Sequence, residues 1–286
     1  MTREKNDKGV VQAPNFPYNV SIFMKQRIII VSIAVIIMAV AFFLGMRFSA
    51  GENGNGKTPE SRSSASAGGG DTLPMSVTAV RDSSNPLYRI TLEYPEFPSA
   101  PDVFNASLRD VVNSKLAQFK QDTEDNWKAR QDTTPAGSPK PELPNPTPYF
   151  FNVSWQPKQL NPHYISFLVR FSSFIGGANE RQELAAFNYD LTARRDIALA
   201  DLFPGQADYL ASISKYARQQ LADALNTSSN GQVASDMLNE GTAPTVENFQ
   251  NFIFDDDVIE FYFPKYQVAP GVFGEQHVVF LRPAAR

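Results

Sequence analysis

The sequence predicts an α+β fold in which a single N-terminal transmembrane helix precedes an extracytoplasmic domain with an antiparallel sheet and two main helices. Residues 28–46 form a long uncharged apolar run. Several later segments alternate apolar and polar residues, which is the period of a half-buried strand. Two longer segments repeat apolar residues every three or four positions, as amphipathic helices do. Strands joined by short links, with helices interspersed, favour an α+β domain on an antiparallel sheet.

The first element is the apolar run, IIIVSIAVIIMAVAFFLGM, whose only hydroxyl group belongs to Ser32. As a helix it is about 28 Å long, close to the roughly 30 Å hydrocarbon core of a bilayer. A buried core helix would show a polar stripe, which this run lacks. A cleaved signal peptide has a shorter apolar region and a small-residue cleavage site, and Phe48-Ser49-Ala50 fits such a site poorly. We therefore expect an uncleaved anchor.

The charges that flank the run predict its orientation. Residues 1–27 carry five Lys or Arg and two acidic residues, so the positive-inside rule places this short stub in the cytoplasm. We expect a single-pass protein of the cell membrane whose remaining chain is extracytoplasmic. Residues 1–48 carry a charge of +4 and the rest carries −8. The net field of such a domain excludes nucleic acid as a partner and favours cationic ones.

The following segments are a tether, a strand, a helix and a loop. Residues 47–72 are rich in Gly and Ser and predict a flexible tether. Alternation from Tyr88 to Tyr94 predicts a strand, and apolar spacing from Phe104 to Phe119 predicts a helix with Ser99 and Asp102 placed to cap its start. Residues 131–148 contain six prolines and predict an exposed loop, which closes an N-terminal subdomain at 73–148.

The predicted C-terminal subdomain, residues 149–286, returns to strand patterns. The segments 149–155, 165–171 and 185–191 predict strands, and residues 207–225 predict the second helix. A hairpin follows, with strands at 251–254 and 258–263, and the last strand spans 276–281. Aromatic residues crowd this third of the chain. Most of them must be core, although Tyr262, Tyr266 and Phe273 are candidates for an exposed binding patch.

No complete catalytic motif is present in the sequence. The chain contains no cysteine, which excludes lipoprotein anchoring, disulfides and thiolate metal sites. Asp255-Asp256-Asp257 superficially resembles the Asp pair of polysaccharide deacetylases, but the only histidines, His163 and His277, lack the spacing that completes such a metal site. Asp favours turns because its side chain accepts hydrogen bonds from nearby backbone amides. We therefore expect a turn at 255–257, two structural histidines, no metal and no cofactor.

A series of short motifs appears in a fixed order in the second half of the chain. They are Phe174-Ile-Gly-Gly-Ala178, Asn188-Tyr-Asp-Leu191, Leu199-Ala-Asp-Leu-Phe203, Phe252-Ile-Phe-Asp-Asp256, Phe261-Tyr-Phe-Pro-Lys-Tyr266 and Ala269-Pro-Gly-Val-Phe-Gly274. In order and spacing, residues 75–283 resemble the extracellular domain pair of RsiV-type anti-sigma factors and PdaC-type peptidoglycan deacetylases. The deacetylase catalytic domain of the latter is not among the matching segments.

The resemblance implies a non-enzymatic binding or sensing domain. Its expected ligand is peptidoglycan or a cationic, lysozyme-like envelope protein, because RsiV-type domains bind lysozyme. The family-signature positions are the candidate binding residues: Phe174, Gly176, Gly177, Tyr189, Asp201, Phe203, Tyr262, Tyr266 and Gly274.

Two departures from the family pattern leave alternatives open. Thr192–Arg195 stand where the family often has a turn glycine, and residues 1–27 are short for a segment that folds around a sigma factor, with Pro14 and Pro17 in their only apolar stretch. An RsiV-like anti-sigma factor is the first alternative function. A cell-wall hydrolase or deacetylase that uses the Asp255–Asp257 cluster is the second.

Overall fold

The computed structural model describes residues 60–62, 73–143, 147–177, 179–229 and 235–282. The expected cytoplasmic stub and transmembrane helix, residues 1–46, lie outside these ranges. Across the described ranges no helix combines the length and the apolar character that a membrane span needs.

Seven strands form one large sheet in chain order, β1 to β7. Their bounds are β1 Glu60–Arg62, β2 Ser76–Asp82, β3 Arg89–Glu96, β4 Phe150–Leu160, β5 Tyr164–Phe174, β6 Arg181–Asp190 and β7 Arg195–Asp196. Neighbouring strands are antiparallel except β3 and β4, which pair in parallel from Arg89↔Phe150 to Leu92↔Val153. The prediction of an antiparallel sheet therefore needs one correction. The 31-residue helix α1, Asp102–Asp132, provides the long crossover that a parallel pair requires.

Helix α1 covers one face of the large sheet. Its buried residues recur at helical spacing: Phe104, Leu108, Val112, Phe119 and Thr123. They pack against the inward side chains of β3, β4 and β5 in a core that extends from Leu73 to Tyr189. This core crosses the predicted subdomain boundary at 148/149. Each large apolar side chain buried there contributes about 1.5–3 kcal/mol to folding.

The start of α1 is held differently from the prediction. The N-cap position is Pro101, and neither Ser99 nor Asp102 supplies a side-chain cap. Asn105 instead binds Phe97, the residue that follows β3, since its Oδ1 accepts from the Phe97 amide and its Nδ2 donates to the Phe97 carbonyl, both at 2.9 Å. A buried amide that satisfies two backbone groups ties the helix to β3.

Three further strands form a small antiparallel sheet in the order β10-β9-β8. They are β8 Phe252–Phe254, β9 Val258–Phe263 and β10 Gln276–Leu281, close to the predicted hairpin and last strand. Helix α2, Tyr209–Ser229, packs on the outer face of this sheet, and the short helix α3, Ser235–Gly241, follows it. Phe254, Ile259 and Phe263 are fully buried between this sheet and its helical cover.

The inner face of the small sheet lies on the large sheet. Leu168 of β5, Ile253 of β8 and Tyr262 of β9 form the apolar part of this contact. Strand β5 is therefore covered on both faces, by α1 and by β8–β9, and its residues Ile165–Val169 are all buried. The expected tether at 47–72 contains β1, which pairs antiparallel with β2.

Candidate functional site

A polar cluster lies in the contact between the two sheets. We define the inter-sheet cluster as Lys158, Gln156, Arg170, Glu260, Tyr262 and Glu275. Its members come from β4, β5, β9 and the segment that enters β10. Tyr262 is at the centre, where its hydroxyl donates to Glu260 at 2.6 Å and accepts from Gln156 Nε2 at 3.1 Å. Burial together with Glu260 raises the pKa of Tyr262, so this hydroxyl keeps its proton.

Arg170 connects three parts of the cluster. Its guanidinium lies 5.3 Å from the centre of the Tyr262 ring, which is a cation–π distance. Its Nη1 donates to Gln156 at 2.6 Å and its Nη2 to Glu275 at 3.2 Å. On the described part of the chain, the buried atoms Arg170 Nε and Glu275 Oε2 have no hydrogen-bond partner. The arginine is thus firmly placed, while its ion pair with Glu275 is incompletely satisfied.

The charge of Glu275 is poorly stabilised where it lies. Burial raises the pKa of this carboxyl to about 7, although Arg170 acts in the opposite direction. Only 14% of the side chain is exposed. Around neutral pH, Glu275 therefore exists in both protonation states.

Lys158 forms the other charged end of the cluster. Its Nζ lies 2.7 Å from Asp255 Oδ2 and 2.8 Å from Glu260 Oε1. Burial lowers the pKa of Lys158, but the hydrogen bonds to these two carboxylates outweigh it and the net direction is upward. Burial raises the pKa values of Asp255 and Glu260. The hydrogen bonds from Lys158 together with those from the Val258 and Asp257 amides to Asp255, and from the Tyr262 hydroxyl to Glu260, outweigh burial, so that both pKa values fall. All three groups remain charged, and they tie β9 to β4.

The acidic run at 255–257 forms the turn of the hairpin. Asp255 Oδ1 accepts from the amides of Asp257 and Val258 at 2.9 and 2.8 Å, and Asp256 accepts from Gln159. Among the described residues, no three His, Asp or Glu side chains are grouped closely enough to hold a metal ion. The carboxylates at 255 and 256 are occupied by contacts within the fold.

Tyr266 lies on a loop next to the cluster. We define the Tyr266 loop as residues 264–274, between β9 and Glu275. Tyr266 has a left-handed backbone, with φ of 69°, and its ring lies so close to Gly271 that a Cβ there would overlap it. Gln267 Nε2 donates to the carbonyls of Gly241 and Asn248, both at 2.9 Å.

These contacts fix the loop while leaving part of it in solvent. Tyr266 is 48% exposed and Val272 is 84% exposed. Lys265 lies 5.5 Å from the Tyr266 ring centre. Gly274, which has a positive φ of 68°, ends the loop immediately before Glu275 of the inter-sheet cluster. Three of the predicted site residues, Tyr262, Tyr266 and Gly274, are thereby placed in this part of the fold.

The other six predicted site residues have structural contacts elsewhere. Tyr189 is a core residue whose ring lies 4.8 Å from that of Phe104, and Phe203 stacks on Tyr209 at 5.2 Å. Asp201 binds Arg195 through both carboxylate oxygens, at 2.7 and 3.1 Å, and accepts from the Ala198 amide.

Phe174, Gly176 and Gly177 lie at and just after the end of β5. Phe174 packs beside Phe150 and Tyr149. Both glycines have positive φ, 91° and 111°, a backbone conformation that favours glycine. Both glycines belong to the bend that follows β5.

Sequence reasoning missed Arg170, Gln156 and Glu275. A signal for Arg170 was present, since it is a charged residue in a strongly apolar strand. A strand covered on both faces can hold a charge only with a partner. The sequence pattern does not show that the small sheet covers the second face of β5, which is the face that carries Arg170.

Comparison with protein families divides the chain into two matching segments. Residues 82–180 match the family described as deacetylase PdaC, and residues 200–280 match a protein family of unknown function, DUF3298. The peptidoglycan-N-acetylmuramic acid deacetylase PdaC of Bacillus subtilis (strain 168) is 30% identical over 193 residues. That match covers 67% of this chain and 37% of the relative, so the chain spans little more than a third of that enzyme's length.

A solved structure of a DUF3298 family protein shares the fold. A member from Pseudomonas aeruginosa PAO1 has a TM-score of 0.51 at 14% identity, and the match covers 73% of this chain and 90% of that one. A member from Bacteroides fragilis NCTC 9343 has a TM-score of 0.48 at 16% identity, with the same coverage.

Proposed function

Because this chain joins a PdaC-type segment to a DUF3298 segment, as the resemblance to the PdaC/RsiV-like domain pair predicted, we propose that it is a non-enzymatic binding and sensing domain. In this proposal the apolar run at 28–46 holds the domain on the outer side of the cell membrane. The ligand is a lysozyme-like cationic protein or a peptidoglycan component. The N-terminal helix lies outside the described residues, so the anchor remains part of the proposal.

The observation that carries the proposal is the exposed, internally braced Tyr266 loop. Aromatic side chains are preferred anchors of protein interfaces because they contribute a large contact area at a low cost in conformational entropy. The Tyr266 ring lies against Gly271, and Val272 adds exposed apolar surface on the same loop. A preorganised loop of this kind loses little freedom on binding.

Charge supports a cationic protein as the ligand. The chain after residue 48 carries −8, and a field of that sign speeds the encounter with a basic partner. Exposed charges are screened by salt over about 8 Å at physiological ionic strength. We therefore expect association to slow as salt is added, with a smaller effect on dissociation.

The test is the binding of hen egg-white lysozyme and of soluble peptidoglycan fragments to the full chain in lipid nanodiscs, measured by biolayer interferometry. We expect Tyr266→Ala to weaken binding of the recognised ligand at least tenfold, which corresponds to about 1.4 kcal/mol. Tyr216→Ala is the matched control, because Tyr216 is also partly exposed but lies on α2. If neither ligand binds, or if both variants lose affinity equally, the proposal is wrong.

A deacetylase activity is the competing function, and the name of the Bacillus subtilis relative favours it. Against it, Asp255 and Asp256 are bound to Lys158 and Gln159. We expect no acetate release from peptidoglycan fragments with Zn²⁺, Mn²⁺ or Co²⁺ added. Metal-dependent release that Asp256→Ala abolishes would make the chain an enzyme and overturn our assignment.

A further inference from the structure

The C-terminal end of the Tyr266 loop is attached to the large sheet by one largely buried ion pair. Glu275 follows Gly274 directly, and its Oε1 lies 3.2 Å from Arg170 Nη2 on β5. The two side chains are only 14% and 16% exposed. Gly274, directly before the pair, has a positive φ of 68°, a backbone conformation that favours glycine.

The two partners are not held equally. Arg170 is also bound by Gln156 and by the Tyr262 ring, so it stays with the sheet. Among the described residues the side chain of Glu275 has no second hydrogen-bond partner, and its Oε2 is buried without a hydrogen bond. A buried carboxylate with one unsatisfied oxygen is costly to keep ionised. If the ion pair opens, the side chain of Glu275 is therefore the one that moves away, while Arg170 stays bound to the large sheet.

Protonation changes the balance between the seated and released positions of Glu275. Burial raises the pKa of the seated carboxyl from 4.5 to about 7, whereas a released, solvated carboxyl returns to the lower value. The seated position binds a proton more tightly, so by linkage acid favours it. As pH rises through this window, ionisation of Glu275 favours release.

We propose that Arg170 and Glu275 form a proton-controlled latch, which seats the C-terminal end of the Tyr266 loop in acid and releases it as pH rises through neutrality. The latch would regulate the loop to which we assign binding, and it rests on the proposed function only for that role. An extracytoplasmic domain is exposed to the pH of its surroundings, so such a latch would couple that pH to the binding loop.

Other charged groups surround the latch and must be tested separately. Glu260 accepts from the Tyr262 hydroxyl and pairs with Lys158, and His277 of β10 stacks on the Tyr262 ring at 5.8 Å. Glu180, on the loop after β5, has a pKa that burial raises and that Lys265 lowers. The variants Glu180→Gln and His277→Gln isolate these two groups from Glu275.

The experiment uses the absence of cysteine in the chain. A nitroxide label on Val272→Cys reports the mobility of the loop, and a label on Val103→Cys of α1, which is 71% exposed, reports the domain elsewhere. Spectra of the full chain in nanodiscs are recorded from pH 5.5 to pH 8. We expect the ratio of mobile to immobile signal at residue 272 to rise about tenfold over this pH range. A change in the pKa of Glu275 from 4.5 to about 7 can raise the ratio of released to seated loop by at most about 30-fold between these pH values.

Glu275→Gln removes the titrating group and should abolish the pH response at residue 272. Glu183→Gln is the matched control, because Glu183 forms a comparable ion pair with Lys115 of α1; it should leave the response intact, as should Glu180→Gln and His277→Gln. A flat wild-type profile at residue 272 overturns the latch even if Glu275→Gln fails to fold. The latch is also overturned if the label at residue 103 shows an equal pH response, or if the pH response at residue 272 persists in Glu275→Gln.

The mobility experiment contains no ligand, so its outcome is independent of the proposed function. Failure of lysozyme and peptidoglycan to bind removes the role of the loop and leaves the latch in place. A flat pH profile removes the latch and leaves the binding assignment untouched.

Discussion

Gly271 shows how a single residue position shapes the candidate binding loop. Its backbone lies against the ring of Tyr266, and a Cβ at this position would require the ring to move. Tyr266 itself has a left-handed backbone, which costs a non-glycine residue free energy and persists only when neighbouring contacts impose it. The two residues together position the exposed aromatic ring.

We expect Gly271→Ala to displace the Tyr266 ring. Because that ring is the far end of a flexible and 48% exposed side chain, the free energy of unfolding should fall by less than about 1 kcal/mol, below the usual cost of overpacking a core. Urea denaturation measures the stability, and the NMR chemical shifts of the Tyr266 ring report its position. Val272→Ala, at the neighbouring exposed residue, should change stability by less than about 0.5 kcal/mol. An unshifted ring in Gly271→Ala would show that the contact does not position Tyr266.

At the scale of elements, the two sheets are joined by polar side chains from central strands. Ser166 of β5 donates to Asn188 Oδ1 at 2.7 Å and accepts from the Phe254 amide at 2.8 Å. Asn188 of β6 donates to the Phe252 carbonyl at 2.8 Å. These side chains satisfy backbone groups of β8 that would otherwise be buried without partners. Polar residues in the large sheet thus fix the position of the small sheet, and with it the Tyr266 loop.

Helix α1 depends on its buried stripe for its attachment to the large sheet. Leu108 is completely buried against it, so Leu108→Ala should destabilise the fold by about 2–5 kcal/mol through lost burial and a cavity. Val103 lies on the same helix but is 71% exposed, and Val103→Ala should change stability by less than about 0.5 kcal/mol. Urea denaturation compares the two variants, and equal losses would contradict this assignment of the buried face.

At the scale of the whole molecule, the carboxyl groups whose pKa is shifted by folding divide into two sets, according to the direction of the shift. Asp201, Asp255 and Glu260 have lowered pKa values in the folded protein. These groups stabilise the fold at pH values above their pKa in the unfolded chain, and this stabilisation is lost as pH falls through their pKa in the folded protein. Glu275 and Glu180 have raised pKa values. These two groups stabilise the fold in acid, and this stabilisation is lost as pH rises through their pKa values in the folded protein. Stability should therefore be highest in mild acid.

We expect the free energy of unfolding to fall by up to about 3 kcal/mol between pH 5 and pH 8, most of it from Glu275, whose pKa changes from 4.5 to about 7 on folding. Glu275→Gln should remove most of this fall. Urea denaturation at both pH values measures it for the wild type and the variant. Equal stability of the wild-type protein at the two pH values would show that Glu275 is not held in its buried position.

The sequence by itself determined the α+β class, the two main helices, the hairpin with its acidic turn and the family resemblance, because local periodicity and turn chemistry depend on neighbouring residues. It also singled out Tyr262, Tyr266 and Gly274. Only the tertiary structure decided that β3 and β4 are parallel, that β5 is covered on both faces, and that Arg170 meets Glu275 from 105 positions away. Strand pairing and the burial of a charge depend on which distant segments of the chain pack together, and local sequence patterns do not specify these long-range contacts.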